Sequence, residues 1–313
     1  MLRAHTDKEI IIDAYRAFKK DWIKNPRDFL DFLREGSDLT IYGTPNQSEN
    51  SIISYLLQGR GDAQISQVDT ALSEIHNKFN PKNPFQVFFF NTSEETRKTK
   101  LRKQVNNLLS GFTDDYKEVF TKLATKKYFR VGDVESPFEF SDWAEVLPDL
   151  PVSDIIITDP YLFDDCDGKN PIKENYYRLL DEIAKKYKLD SLIVFSKRPG
   201  RELKAQLIAD SQEILGKNQV HILTFEGILE HDRYIFMNYH TINAGGSMNY
   251  FNDEGVVSVK YASKIDVIPV CNGENFNIAQ DVLRRLSQEI ERLKDKGRIP
   301  ISVHSKLFYF QKG

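Results

Sequence analysis

A histidine and an arginine stand two positions apart at His231 and Arg233, and a turn carrying a serine and an asparagine follows at Gly245-Gly246-Ser247-Met248-Asn249. Alternate side chains of a strand share a face, so this spacing puts the imidazole and the guanidinium on the same side. The glycine pair permits a tight turn that offers Ser247 and Asn249 to the same point. Imidazole, guanidinium, hydroxyl and amide aimed at one place form a set suited to gripping a phosphate. An arginine presents a bidentate fork to phosphate oxygens, and a histidine exchanges protons near neutrality. The plainer reading leaves His231 and Arg233 near a strand end, with Arg233 paired to Glu226 or Glu230.

His231-Asp232-Arg233 with Asn238, followed by Gly246-Ser247-Met248-Asn249, resembles the signature of the phospholipase D superfamily. That signature is a histidine, any residue, a lysine, four residues and an aspartate, then a glycine-serine-any-asparagine turn. The resemblance implies a histidine nucleophile at His231, with Arg233 in the place of the lysine and Ser247 and Asn249 as ligands of phosphate oxygens. Arg233 keeps the charge but changes the reach, and Asn238 stands where the family has an acid, so it accepts a hydrogen bond without supplying a negative charge. The stretch between Asn238 and Gly246 is slightly longer than usual. These departures place the chain nearer to degenerate members of the superfamily, the bacterial defence nucleases and phosphoinositide-binding domains, than to the lipases.

Catalysis in that superfamily needs two histidines at one phosphate, one attacking and one protonating the leaving group. His304-Ser305-Lys306 followed by four apolar residues and Gln311 has the outline of His231–Asn238, which makes His304 and Lys306 a candidate second half-site. Against it, the separation is short for a duplicated unit and no glycine-serine turn follows. A homodimer pairing two copies of His231 is the preferred route to the second histidine.

Other chemistry is weaker. Asp154, Asp159, Asp164, Asp165 and Asp167 surround the end of an apolar strand, where carboxylates hold Mg²⁺ in some phosphoryl-transfer sites, but solvated turn residues are the preferred reading. Arg97, Lys98, Lys100, Arg102 and Lys103 form a basic run that offers a patch for nucleic acid or anionic lipid, or simply a solvated helix face. His76, His221 and His240 have no metal-ligand spacing, no phosphate loop or dinucleotide fingerprint occurs, and neither a metal nor a cofactor is expected.

The elements that must position these residues follow from periodicity. Residues 146–313 alternate apolar strands (Asp154–Thr158, Ser191–Phe195, His221–Phe225) with helices over 170–187 and 200–215, the grammar of a parallel or mixed sheet flanked by helices. An all-β stretch over Gly255–Val270, a long helix ending near Gly297 and a terminal strand Ser302–Phe310 complete this half. The expected fold is α/β, a phospholipase D-like domain over 146–313 preceded by a helix-rich α/β region over 1–145. In that first region, helices are expected over 1–35, Ser51–Gln58, Ile65–Phe79, from Asn91 to about Ser110, and Asp114–Thr125, with strands at Leu39–Tyr42 and Phe85–Phe90.

The chain has 313 residues, 40% hydrophobic, enough for one large core or two modest ones, and a net charge of −3 that excludes binding nucleic acid by bulk field. Two cysteines, Cys166 and Cys271, make no disulfide framework and suit a reducing compartment, although a single long-range bridge stays open. No signal-peptide core or run of roughly 20 apolar residues is present, so a cytoplasmic protein is expected. The functional expectation is a phosphodiester-engaging protein, a metal-independent nuclease or a nuclease-derived nucleic-acid-binding component of a bacterial antiviral or restriction system. The alternative is a non-catalytic phosphate-binding or assembly module, docking a protein partner through its N-terminal region or a phosphoinositide membrane surface.

Overall fold

The computed structural model describes residues 1–313 apart from 22–23, 58–63, 75–78, 80–81, 134, 164–170, 198, 217–218, 225–232, 253, 258–262 and 310–313. Two compact units divide it, one made of Met1–Thr125 with Pro269–Asp281 and the other of Lys126–Ile268 with Val282–Gly313. Residues 126–145, which the sequence reading grouped with the N-terminal region, thus pack in the second unit, and 269–281 pack in the first.

The first unit is built on β1 (Leu2–Asp7), β2 (Ser37–Tyr42), β3 (Ile65–Val68), β4 (Gln86–Phe90) and β5 (Leu109–Phe112), joined in the order β3-β2-β1-β4-β5. All four pairings in this order are parallel. Parallel strands need long crossovers, supplied here by α1 (Lys8–Asp21), α2 (Lys24–Asp31), α3 (Asn50–Leu57) and α4 (Glu95–Gln104), with α5 (Tyr116–Ala124) following β5. Helices on both faces explain why all five residues of β4, Gln-Val-Phe-Phe-Phe, are buried. Phe29 of α2 meets Phe89, Tyr116 and Phe120 at ring separations of 5.0, 5.1 and 5.4 Å. Gly111 is required by closeness: a Cβ there would lie 2.9 Å from the Cα of Tyr116.

Three expectations for this region are corrected. Residues 1–35 are not helical throughout, because Leu2–Asp7 is the central strand. Its His5, Thr6 and Asp7 are buried polar residues, and the partners of His5 and Asp7 lie far along the chain, so no apolar strand pattern betrays it. Ile65–Val68 is an edge strand rather than helix, with polar side chains that an edge tolerates. The helix after Asn91 ends at Gln104, and Ser110 lies in β5.

The second unit holds a seven-stranded sheet ordered β6-β12-β11-β10-β7-β8-β9, from β6 (Lys127–Arg130), β7 (Asp154–Thr158), β8 (Ser191–Ser196), β9 (Val220–Thr224), β10 (Tyr234–Phe236), β11 (His240–Asn243) and β12 (Lys264–Pro269). β7, β8 and β9 are parallel, crossing over through α7 (Pro171–Lys186) and α8 (Arg201–Leu215), with the short α6 (Trp143–Val146) before them. β10 is antiparallel to both β7 and β11, so the sheet is mixed, as the strand–helix alternation predicts. Tyr176, Leu179, Leu180 and Ile183 form the buried stripe of α7. The long α9 (Gly273–Asp295) closes with Gly297 at φ +63°, its N–H donating to Lys294 O while the N–H of Arg298 donates to Leu293 O, a Schellman ending.

Two further expectations change. Among the described residues of 255–270, only the bridge Phe251–Val257 and β12 are extended pairings. The expected strand Ser302–Phe310 is not formed over its described residues 302–309, where Lys306–Phe308 is a single 3₁₀ turn whose start is capped by the Ser305 hydroxyl.

Candidate functional site

Strand direction assembles the candidate site. Because β10 runs antiparallel to β7, its first residue, Tyr234, sits opposite Thr158, and Asn243 at the end of β11 sits opposite Tyr234. β8 is parallel to β7, with Phe195 opposite Thr158. The residues just beyond these ends, Asp159, Tyr161, Lys197, Arg233 and the Gly245–Asn249 turn, therefore meet at one edge of the sheet. Residues scattered over ninety positions become neighbours through pairing alone.

Asp159 is the hub. It is fully buried, and its carboxylate accepts from the Ser247 hydroxyl at 2.8 Å, the Met248 N–H at 2.7 Å and the Tyr161 N–H at 3.0 Å. Burial pushes this carboxyl above the usual range, opposed by those donors and by the nearby Arg233 charge. Asn249 donates its amide to the Tyr161 carbonyl at 2.8 Å, and its own buried Oδ1 has no partner among the described residues.

Arg233 donates from Nη1 to the Gly245 carbonyl at 3.1 Å, and its guanidinium carbon lies 5.4 Å from the centre of the Tyr161 ring. Its buried Nε has no partner among the described residues. The ammonium of Lys197 lies over the same ring at 5.1 Å. The turn is specified by glycine: Gly245 has φ +63°, and a Cβ there would stand 2.8 Å from the Lys264 carbonyl oxygen. Ser263 fixes the turn from below, its hydroxyl accepting from Gly246 N–H and donating to Ala244 O, each at 2.9 Å.

The structure thus brings together Arg233, Ser247 and Asn249 from the sequence motif. His231, two residues before Arg233, lies outside the described residues, as do Asp164, Asp165, Asp167, Cys166 and His76. Asn238 is at the other edge of the sheet, buried, accepting from the Ser153 N–H at 3.0 Å just before β7 begins. It anchors the hairpin and does not approach the turn.

His304 and Lys306 do not join the site. Lys306 pairs with Asp190, which immediately precedes β8, and exposed His304 donates to Ser302 O at 2.7 Å. The six residues of β8, roughly 20 Å of strand, separate that edge from Lys197 and Arg233.

The basic run is also not one solvated face. Lys98 is buried and pairs with Asp114 at 2.6 Å, Arg102 stacks over Phe112 at 4.9 Å, and Arg97 donates to Ser73 at 2.7 Å, while Lys100 and Lys103 are exposed. Asp154 accepts from Ser153 and Ser191 inside the fold. Among the described residues no group of three His, Cys, Asp or Glu side chains could hold a metal ion, and no helix is long and apolar enough to cross a membrane. Cys271 is a free thiol whose pKa burial raises to about 11.

Sequence reasoning undervalued three residues. Asp159 was grouped with possible metal ligands, although its place right after an apolar strand marks a residue at a sheet edge. Tyr161 and Lys197 carry no motif, and only the pairing of β7 with β8 brings them to Arg233.

No protein-family model and no curated protein matches the chain. Among solved structures, the crystal structure of polyphosphate kinase from Porphyromonas gingivalis is similar at a TM-score of 0.33 and 11% identity, over 52% of this chain and 24% of that one. The match spans about a quarter of that kinase, and a likeness this distant carries no argument about activity. The chain is a mixed α/β protein whose second unit gathers arginine, lysine, tyrosine, serine and asparagine at one sheet edge.

Proposed function

We propose that the second unit engages a phosphodiester group in a phospholipase D-like manner, as a nuclease or a nuclease-derived nucleic-acid-binding protein of a bacterial defence or restriction system. One observation carries the reading: the β10–β11 hairpin brings Arg233 and the Ser247–Asn249 turn to one edge, where Arg233 Nε and Asn249 Oδ1 are buried with no partner among the described residues. A guanidinium held over an aromatic ring is preset to meet phosphate oxygens and cannot be deprotonated. In the active form, an imidazole nitrogen of His231 bonds to phosphorus as the leaving oxygen departs with a proton from a second histidine. Water then cleaves the phosphohistidine. Arg233 offsets the charge that develops on the non-bridging oxygens. The proposed phospholipase D-like domain is this second unit, Lys126–Ile268 with Val282–Gly313, and a homodimer supplies the second histidine.

A non-catalytic phosphate-binding module is favoured by a separate observation, since the Ser247 hydroxyl and the Asn249 amide are already spent on Asp159 and Tyr161. Hydrolysis of bis-(p-nitrophenyl) phosphate and of single-stranded DNA, both in excess chelator, decides between them. The nuclease reading expects turnover that His231→Ala abolishes while binding persists. The binding reading expects none, with oligonucleotide affinity that falls in Arg233→Ala. Affinity unchanged by Arg233→Ala, with no turnover, refutes both.

A further inference from the structure

Tyr161 is used by neither reading, yet it stands where a ligand would lie beside Arg233. Its ring is partly exposed and covered by two cations, Arg233 at 5.4 Å and Lys197 at 5.1 Å. The two cations differ in how firmly they are held. Arg233 is half-buried and tied to the Gly245 carbonyl. Lys197 is exposed, and its ammonium has no hydrogen-bond or ion-pair partner among the described residues. A long, flexible, hydrated side chain leaves an aromatic face at little cost, because an exposed cation–π contact is weak.

The backbone of Tyr161 is hydrogen-bonded on both sides by contrast. Its N–H donates to buried Asp159, its carbonyl accepts from Asn249, and the Lys197 N–H donates to the neighbouring Pro160 carbonyl at 3.2 Å. An aromatic ring on a hydrogen-bonded backbone, a guanidinium tied to a carbonyl and an exposed ammonium at one edge form an arrangement suited to a nucleotide: a flat face for a base beside cations for its phosphate.

We infer that Tyr161 is a stacking platform for an unpaired nucleobase, with Lys197 vacating the ring to meet the adjacent phosphate, so that the site selects single-stranded nucleic acid. The selection follows from accessibility: a base within a duplex has both faces covered by its neighbours, whereas an unpaired base offers one to an aromatic side chain. Like the proposed function, this rests on a phosphate bound at Arg233, but its test separates the two.

The full chain is titrated by fluorescence anisotropy with labelled oligothymidylate, with an abasic phosphodiester of equal length, and with the same oligothymidylate as a duplex, at fixed ionic strength. The expected order is single strand tightest. Tyr161→Leu should weaken oligothymidylate binding by about 5- to 100-fold, the value of one lost base stack, with little effect on the abasic ligand. Tyr161→Phe, which keeps the ring, should retain the preference and show that the substitution is tolerated. Equal losses for both ligands in Tyr161→Leu, no loss for either, or a preference for duplex overturns the inference and leaves phosphate binding standing. Arg233→Ala should weaken both single-stranded and abasic binding. If it changes neither, the phosphate reading falls and this inference with it.

Discussion

Acidification should destabilise the first unit through a single buried histidine. His5 lies in the central strand, its Nδ1 3.0 Å from the Tyr42 hydroxyl and its Nε2 3.3 Å from Gln86 Oε1. Its ring stacks on Phe88 at 4.8 Å, nearly parallel, with the edge of Phe79 at 5.3 Å. This cage suits a neutral imidazole, and burial drives the pKa from 6.5 down to about 4, against the smaller opposing pull of Gln86. The sign follows from proton uptake. Between about pH 6.5 and 4 the unfolded chain holds a proton on this ring that the folded chain excludes, so stability falls with pH through that window. Above 6.5 the contribution is complete; below about 4 nothing more is lost. A shift of roughly 2.5 units at 1.36 kcal/mol each amounts to about 3 kcal/mol, a large share of a typical domain's stability. Urea unfolding of the wild type and His5→Asn at pH 7.5, 5.5 and 4.0 isolates the effect. Titrating carboxylates such as Asp7, whose pKa burial raises, contribute to both proteins and cancel in the difference. The advantage of the wild type over the variant should shrink by about 3 kcal/mol between the extremes. NMR titration of the ring should find it neutral at pH 5.5. A constant difference across the range, or a ring that titrates near 6.5, refutes the argument.

Two other expectations test the second unit. Gly245→Ala forces a side chain into a positive φ and against the Lys264 carbonyl, which should cost about 1–3 kcal/mol in chemical denaturation and weaken oligonucleotide binding by displacing the turn that Arg233 holds. His304→Ala and Lys306→Ala should leave phosphodiester affinity and any turnover unchanged, because these residues sit at the far edge of β8; a loss like that of Arg233→Ala would contradict the placement.

Much of the second unit was legible from local pattern. Ile155–Ile157 and Leu192–Phe195 read as buried strands, and Tyr176, Leu179, Leu180 and Ile183 read as one helix face, because burial on a regular element imposes a period on the chain. The glycine turn was legible too, since Gly245 is needed where φ is positive. Strand β1 was hidden for the opposite reason. His5 and Asp7 are buried polar groups satisfied by Tyr42, Gln86, Leu72 and Asn91, and no local rule reports a partner so remote.

The motif residues show the same division. Arg233, Ser247 and Asn249 advertise their chemistry by type and spacing. That Ser247 meets the Asp159 carboxylate, Asn249 the Tyr161 carbonyl and Arg233 the Tyr161 ring depends on β10 running antiparallel to β7. Equally, His304 and Lys306 look like a second copy of the motif in the sequence, yet Lys306 is drawn to Asp190 at the opposite edge. Side-chain identity and periodicity are properties of neighbouring residues, so the sequence alone carried them. Which strand ends share an edge is set by long-range pairing direction, so tertiary structure alone decided which of those side chains meet.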